Sequence, residues 1–207
     1  MNSYTRRLQV QGAAGAIEVL RDEPSQAPIG TAFLAHPHPL FGGTMDNKVV
    51  QTMARAFVQS GWTAIRFNFR GVGGTAGTHD EGRGEAEDMR HLVGELAPQG
   101  ALALGGFSFG SFVASHVLAT YWGTREVRKV VLVGTAASRF DVAAIPVDAH
   151  DRLLVVHGEE DDTVALQAVL DWARPQALPV TVVPGVGHFF HGQLPLLKSL
   201  VARHLRS

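Results

Sequence analysis

Short apolar runs alternate with amphipathic segments along most of the chain. The apolar runs are typical of strands buried on both faces, and the segments between them repeat apolar residues three or four positions apart, as helices do. The predicted strands cover residues 6–10, 16–20, 29–35, 62–69, 101–106, 129–133, 152–157 and 179–183. One predicted helix is capped by Asp46 or Asn47 and ends at Gly61, and the others cover 85–96, 109–121, 163–173 and 191–205. This alternation predicts an α/β fold with a mostly parallel central sheet, helices on both faces and an N-terminal hairpin.

Composition narrows the class of protein without naming a function. The chain has 207 residues, of which 45% are hydrophobic and 18% charged, and it contains no linker or repeat, so we expect one domain over residues 1–207. A net charge of −1 with dispersed basic residues predicts no nucleic-acid partner. The chain has no cysteine, hence no disulfide, thiolate nucleophile or Cys-based zinc site. No apolar run reaches the ~18 residues of a membrane span, and Met1–Val10 lacks the apolar core of a signal peptide, so a cytoplasmic location is expected.

The peptide GFSFG, residues 106–110, joins a predicted strand to a predicted helix. A G-x-S-x-G sequence in this context is typical of the nucleophile elbow, a sharp turn that exposes a serine at the carboxyl edge of the sheet. Glycine suits both ends of the turn because a residue without a Cβ lets helix and strand approach closely. The pattern predicts Ser108 as a nucleophile, in preference to an ordinary turn.

A serine hydroxyl needs a positioned base to remove its proton. In this architecture an acid and then a histidine follow the serine along the chain. Asp161 and Asp162 both follow the predicted strand that ends at His157, and their positions alone do not separate them. His188 follows the last predicted strand and is the predicted base. His191 is its rival, although a place at the predicted start of the last helix favours a capping or packing role.

An oxyanion hole requires two donors directed at the developing negative charge. The backbone N–H of Phe109, the residue after the nucleophile, is the first predicted donor. The second should come from the loop HPHPLFGGTMDN, in which Pro37 and Pro39 have no N–H. We therefore predict Leu40 as the second donor, with Phe41 as the alternative.

Five motifs together carry a resemblance to a known family: AHPHPLFGGTMDNKVV, IRFNFRGVGGTAGTHDEGRGEAED, GFSFGS, HGEEDD and GHFFHG. From about residue 29 onward the chain resembles the small bacterial serine hydrolases of the α/β-hydrolase superfamily, which are related to dienelactone hydrolases and small carboxylesterases. The resemblance implies the α/β-hydrolase fold and a triad of Ser108, Asp161 and His188. The related pattern H-G-x-x-D-x-x-V falls on Asp161, which favours it over Asp162. The family likeness also implies an ester or thioester hydrolase that needs no metal or cofactor, but the lack of cysteine excludes the thiol chemistry of dienelactone hydrolase.

The segment in which hydrolases of this fold often carry a lid is short. Residues 134–152 separate two predicted strands and are too few for a helical cap. An open site is expected, which suits a small-molecule ester or thioester with a short or extended acyl group better than a bulky lipid. Phe41 and Phe189 are predicted to form apolar, substrate-binding walls.

Two other classes of function compete with this interpretation. His36 and His38 form an H-x-H pair that would suit a metallohydrolase, although the shaping of a loop is the better explanation. A catalytically silent binding protein on a hydrolase fold is the other alternative, because fold alone does not establish activity.

Overall fold

The computed structural model describes residues 5–207, so the first four residues of the predicted domain lie outside the described residues. Within these residues eight strands form one sheet: β1 (Thr5–Gly12), β2 (Gly15–Asp22), β3 (Thr31–Ala35), β4 (Thr63–Phe67), β5 (Leu102–Phe107), β6 (Val127–Val133), β7 (Leu153–Gly158) and β8 (Thr181–Val183). Their order across the sheet is β1-β2-β4-β3-β5-β6-β7-β8. The first two pairs in this order are antiparallel and the other five are parallel.

Five α-helices cover the two faces of this sheet, as the alternation of strands and helices predicts. They are α1 (Lys48–Gln59), α2 (Arg83–Leu96), α3 (Phe109–Tyr121), α4 (Leu166–Ala173) and α5 (Leu194–Arg206). Asn47 caps α1, because its side chain accepts a hydrogen bond from the N–H of Val49 at 2.9 Å. None of the helices in residues 5–207 has the length and apolar character needed to cross a membrane.

Two hydrophobic cores lie on opposite faces of the sheet. Successive strand residues point to opposite sides, so Phe33 of β3 joins one core and Leu34 joins the other. Helices α2, α3 and α4 pack on the first core, and α1 and α5 pack on the second. Burial on both faces explains why the central strands β3 and β5 are apolar at nearly every position instead of alternating.

Two predicted helix starts are wrong, and both lie in loops that carry candidate site residues. Helix α4 begins at Leu166 instead of 163, because the N–H groups of Thr163 and Val164 donate to the side chain of Asp161. Helix α5 begins at Leu194 instead of 191, after Phe190 with φ 54°. The preceding chain is therefore a turn, and it holds the histidines of the GHFFHG motif.

Candidate active site

Ser108 occupies a strained turn between β5 and α3. Its φ of 56° and ψ of −118° are far from the conformations that non-glycine residues prefer, a cost of about 1–3 kcal/mol. Hydrogen bonds hold the turn: the N–H of Ser108 donates to the carbonyl of Val133 at 2.8 Å, and Ser111 Oγ donates to the carbonyl of Gly106 at 2.7 Å. Strain that the surroundings maintain in this way is characteristic of a functional position.

The glycines on either side of Ser108 are required by close backbone contacts. A Cβ at Gly106 would overlap the backbone of Gly110, and a Cβ at Gly110 would overlap the carbonyl of Ala35 at the end of β3. Helix α3 therefore starts in direct contact with the carboxyl ends of two neighbouring strands. This contact explains the G-x-S-x-G pattern in physical terms.

The predicted acid and base meet in the structure. His188 Nδ1 lies 2.6 Å from Asp161 Oδ2, and both side chains are almost completely buried. Because an ionised carboxylate can only accept, Nδ1 carries the proton and Nε2 is free to accept one. Burial alone would raise the pKa of Asp161, but hydrogen bonds from His188 and from the N–H of Val164 outweigh it and leave the pKa below its ordinary value.

The rival acid and base are placed differently. Asp162 is exposed, and its carboxylate accepts a hydrogen bond from the hydroxyl of Thr163 at 3.3 Å. His191 is also exposed and precedes α5, so the predicted place at a helix start is wrong. Of the two candidate acids, Asp161 alone pairs with His188.

A second histidine lies against the acid. His157 is fully buried at the end of β7, where its Nε2 donates to the carbonyl of Val164 at 2.9 Å and lies 3.4 Å from Asp161 Oδ2. Burial lowers the pKa of His157, although its bond to Val164 and the charge of Asp161 act in the opposite direction. His157 is therefore a neutral ring that packs and orients the loop carrying Asp161.

Ser108 and His188 line one cavity of about 270 Å³, near the lower end of the size range of ligand pockets. No hydrogen bond joins Ser108 Oγ to His188 in the part of the chain that the structure describes, and such contacts often shorten only when substrate binds. Phe41 and Phe189 line the same cavity, and 78% and 42% of their respective surfaces are exposed. Phe107 is buried and packs its ring 4.8 Å from that of His188.

The geometry does not favour Leu40 as an oxyanion donor. Its N–H donates to His38 Nδ1 at 3.2 Å within a 3-10 helix at Pro39–Phe41, and Leu40 is not among the residues that line the cavity. The N–H of Phe41 is also occupied, by the carbonyl of His38 at 3.2 Å. The loop thus uses both predicted N–H groups to hold its own turn.

Two residues that line the cavity have a backbone N–H that makes no hydrogen bond within the described part of the chain. Within residues 5–207, neither the N–H of Phe109 nor that of His38 enters a hydrogen bond. Phe109 begins α3, where the first N–H groups have no acceptor inside the helix. The rings of the two residues lie 4.8 Å apart and both residues line the cavity with Ser108. The sequence held a signal for His38, since it is the first residue after Pro37 that has an N–H.

The first histidine of the H-x-H pair, His36, has a structural role. His36 is fully buried; its Nδ1 donates to the carbonyl of Pro37 at 2.6 Å and its Nε2 accepts from the N–H of Phe69 at 2.9 Å. Burial lowers the pKa of His36 to about 4, despite the opposing bond to Pro37. With both nitrogens engaged, His36 joins the loops after β3 and β4 and has no lone pair left for a metal. Nor do the described residues bring three ligand-type side chains together elsewhere.

Comparison with known proteins identifies the family of this fold. A model of the α/β hydrolase fold matches residues 40–152, more than half of the chain. The chain belongs to the α/β-hydrolase family.

An α/β serine hydrolase without a lid, from Xanthomonas campestris, is 34% identical with a TM-score of 0.87, and the match covers 100% of this chain and 95% of that one. An α/β serine hydrolase homologue from Coxiella burnetii is 34% identical with a TM-score of 0.82, covering 97% of each chain. An uncharacterized protein of Rickettsia prowazekii is 28% identical over 199 residues, 89% of this chain and 82% of that protein.

In residues 5–207 this α/β hydrolase has no lid between β6 and β7. Residues 134–152 follow β6 as an irregular segment, and a 3-10 helix at Val147–Arg152 is its one helical element. The prediction of an α/β-hydrolase fold without a cap is confirmed. The cavity beside Ser108 lies open at the carboxyl edge of the sheet, where ligands bind in folds of this class.

Proposed function

We propose that the protein is a serine hydrolase that cleaves an ester or thioester through an acyl-enzyme on Ser108. The observation that carries the proposal is a serine with strained backbone in the same cavity as a histidine that is hydrogen-bonded to a buried carboxylate at 2.6 Å. A nucleophile, a base and a group that orients the base make up the constellation needed for nucleophilic catalysis. The membership of the family supports the same chemistry.

In the first half of the reaction, His188 Nε2 takes the proton of Ser108 as the serine oxygen bonds to the acyl carbon. The imidazolium that forms is stabilised by Asp161, whose lowered pKa keeps it ionised. The tetrahedral intermediate then collapses. Its bond to the leaving oxygen or sulfur breaks, and the proton on His188 passes to that atom, releasing an alcohol or thiol.

In the second half, His188 takes a proton from water, and the hydroxide equivalent attacks the acyl carbon. The bond to Ser108 Oγ breaks as the proton returns to the serine, which regenerates the enzyme and releases a carboxylic acid. The N–H groups of Phe109 and His38 would stabilise the oxyanion in both halves. They are favoured over Leu40 because they make no hydrogen bond within residues 5–207 and belong to residues that line the cavity.

Steady-state kinetics on a panel of 4-nitrophenyl esters and acyl-CoA thioesters of graded chain length test the proposal. We expect turnover of at least one class. Ser108→Ala should lower kcat by roughly 10⁴- to 10⁶-fold, because the members of a triad act as a unit. Full activity in the Ser108 variant, with folding confirmed by circular dichroism, would remove the nucleophile assignment.

A further inference from the structure

The cavity beside Ser108 adjoins a second, wider groove on the same surface. The groove has a volume of about 670 Å³, compared with about 270 Å³ for the cavity. Four residues line both spaces: His38, Phe41, Arg139 and Phe140. A substrate that reaches from Ser108 into the groove therefore passes Arg139.

Arg139 is the one residue with a permanent charge among the described residues that line the cavity. The walls are otherwise aromatic, aliphatic or neutral, and no carboxylate lines them. Glu81 and Asp141 line the groove farther from Ser108, but neither forms an ion pair with Arg139 in residues 5–207. Arg139 is exposed, and within residues 5–207 its side chain donates no hydrogen bond, so its donors are free for a ligand.

The field of this cation reaches the loop that faces Ser108. Burial and the neighbouring His79 lower the pKa of His38, and the charge of Arg139 lowers it further. Glu85, which lies behind His79, acts in the opposite direction without reversing the shift. Arg139 thus places a positive charge where cavity and groove meet, which suits an anionic part of a substrate and disfavours a cationic one.

We propose that Arg139 is a specificity-determining residue that binds a carboxylate carried by the substrate a few bonds from its scissile carbonyl. The planar guanidinium can hold a carboxylate through two parallel N–H···O bonds. Phe41 and Phe140, which line both spaces together with Arg139, would pack against the carbon chain between the two groups. The inference rests on the proposed function, because it takes the cavity beside Ser108 as the substrate site.

Paired substrates test this assignment. Mono-4-nitrophenyl adipate and 4-nitrophenyl hexanoate have acyl chains of equal length and differ by a terminal carboxylate. We expect Arg139→Gln to lower the ratio of kcat/KM for the anionic ester to that for the neutral ester by tenfold to a hundredfold, the range for a hydrogen bond to a charged group. Most of the change should be in KM, and it should shrink as salt is added. Arg128→Gln, at an exposed position on β6 away from the cavity, should keep the ratio.

Binding measured without turnover separates this proposal from the proposed function. In the Ser108→Ala protein, calorimetry should detect tighter binding of adipic acid mono-anilide than of hexananilide, and Arg139→Gln should remove the difference. Such binding, together with a wild-type protein that hydrolyses none of the esters or thioesters, would overturn the hydrolase assignment and keep the anion site. Equal binding of the two anilides, or a ratio of kcat/KM that Arg139→Gln does not change, would overturn the anion site.

Discussion

The two oxygens of Asp161 are assigned to different partners. Oδ1 accepts from the N–H groups of Thr163 and Val164, at 2.9 and 2.7 Å, which fixes the carboxylate relative to its own loop. Oδ2 is left to face His188 at 2.6 Å. The acid thus has one oxygen for structure and one for the base, an arrangement that a neighbouring aspartate cannot reproduce.

Asp161→Asn should therefore lower kcat far more than Asp162→Asn. An amide can present its N–H₂ to His188 and select the wrong tautomer, and a comparable change in another serine hydrolase costs roughly 10⁴ in kcat. Asp162→Asn, at an exposed position, is the matched control and should retain most activity. Esterase kinetics on both purified variants check this, and a larger loss in the Asp162 variant would reverse the assignment.

His38 offers a direct way to remove a single backbone donor. Its φ of −53° is compatible with proline, so His38→Pro removes the N–H without requiring a change in this φ. His38→Ala removes the same ring but keeps the N–H. We expect the proline variant to have a kcat roughly 10²- to 10³-fold below that of the alanine variant, the usual cost of losing an oxyanion donor. Equal kcat values in the two variants would show that the N–H of His38 is not an oxyanion donor.

At the scale of elements, the sequence predicts a feature where a known sequence pattern marks it and fails where a single side chain or backbone angle decides it. The elbow was predictable because GFSFG combines a sequence pattern with a strand before it and a helix after it. The start of α4 is not predictable in this way. The side chain of Asp161 accepts hydrogen bonds from N–H groups that the predicted helix would place in its first turn. The positive φ of Phe190 likewise leaves no trace in hydrophobic periodicity. Excluding the prolines leads to Leu40 as the second oxyanion donor, and only the structure reveals that its N–H donates to His38 Nδ1 instead.

The contact between α3 and β3 predicts unequal effects for two glycine substitutions. Gly110→Ala places a Cβ against the carbonyls of Ala35 and His36 and should destabilise the protein by about 1–3 kcal/mol. Gly94→Ala in α2 has nothing within 4 Å of the new Cβ and should stabilise by about 0.5–1 kcal/mol, through helix propensity. Urea unfolding measures both. Equal effects in the two variants would mean that the elbow does not need its glycine.

For the whole molecule, the site depends on contacts between the ends of neighbouring parallel strands. His36 joins the loops after β3 and β4 through hydrogen bonds. Gly110 lets α3 contact β3, and the N–H of Ser108 is hydrogen-bonded to Val133 at the end of β6. The open cavity results from these contacts and from the short, irregular segment after β6. Stability of the fold and geometry of the site are therefore coupled.

This coupling predicts a loss of stability in acid that depends on His36. The folded pKa of His36 is about 4 and the ordinary value is 6.5, so the unfolded chain binds more protons between these pH values. Its contribution is complete above pH ~6.5 and is lost as pH falls toward ~4, by up to about 3 kcal/mol. The gap in unfolding free energy between wild type and His36→Asn should shrink accordingly. His191→Asn, at an exposed position, is the control, and a gap for His36→Asn that stays constant with pH would contradict the prediction.

Covalent labelling of Ser108 by a fluorophosphonate tests the central claim most directly, because the probe reacts with a serine only when a base activates it. Mass spectrometry of the digested protein should find one adduct, on the peptide that carries GFSFG. Labelling should disappear in Ser108→Ala, fall strongly in His188→Ala and persist in Ser138→Ala, which removes an exposed serine near the cavity. An adduct elsewhere, or labelling of the folded Ser108→Ala protein at the wild-type rate, would contradict the assignment of Ser108 as an activated nucleophile.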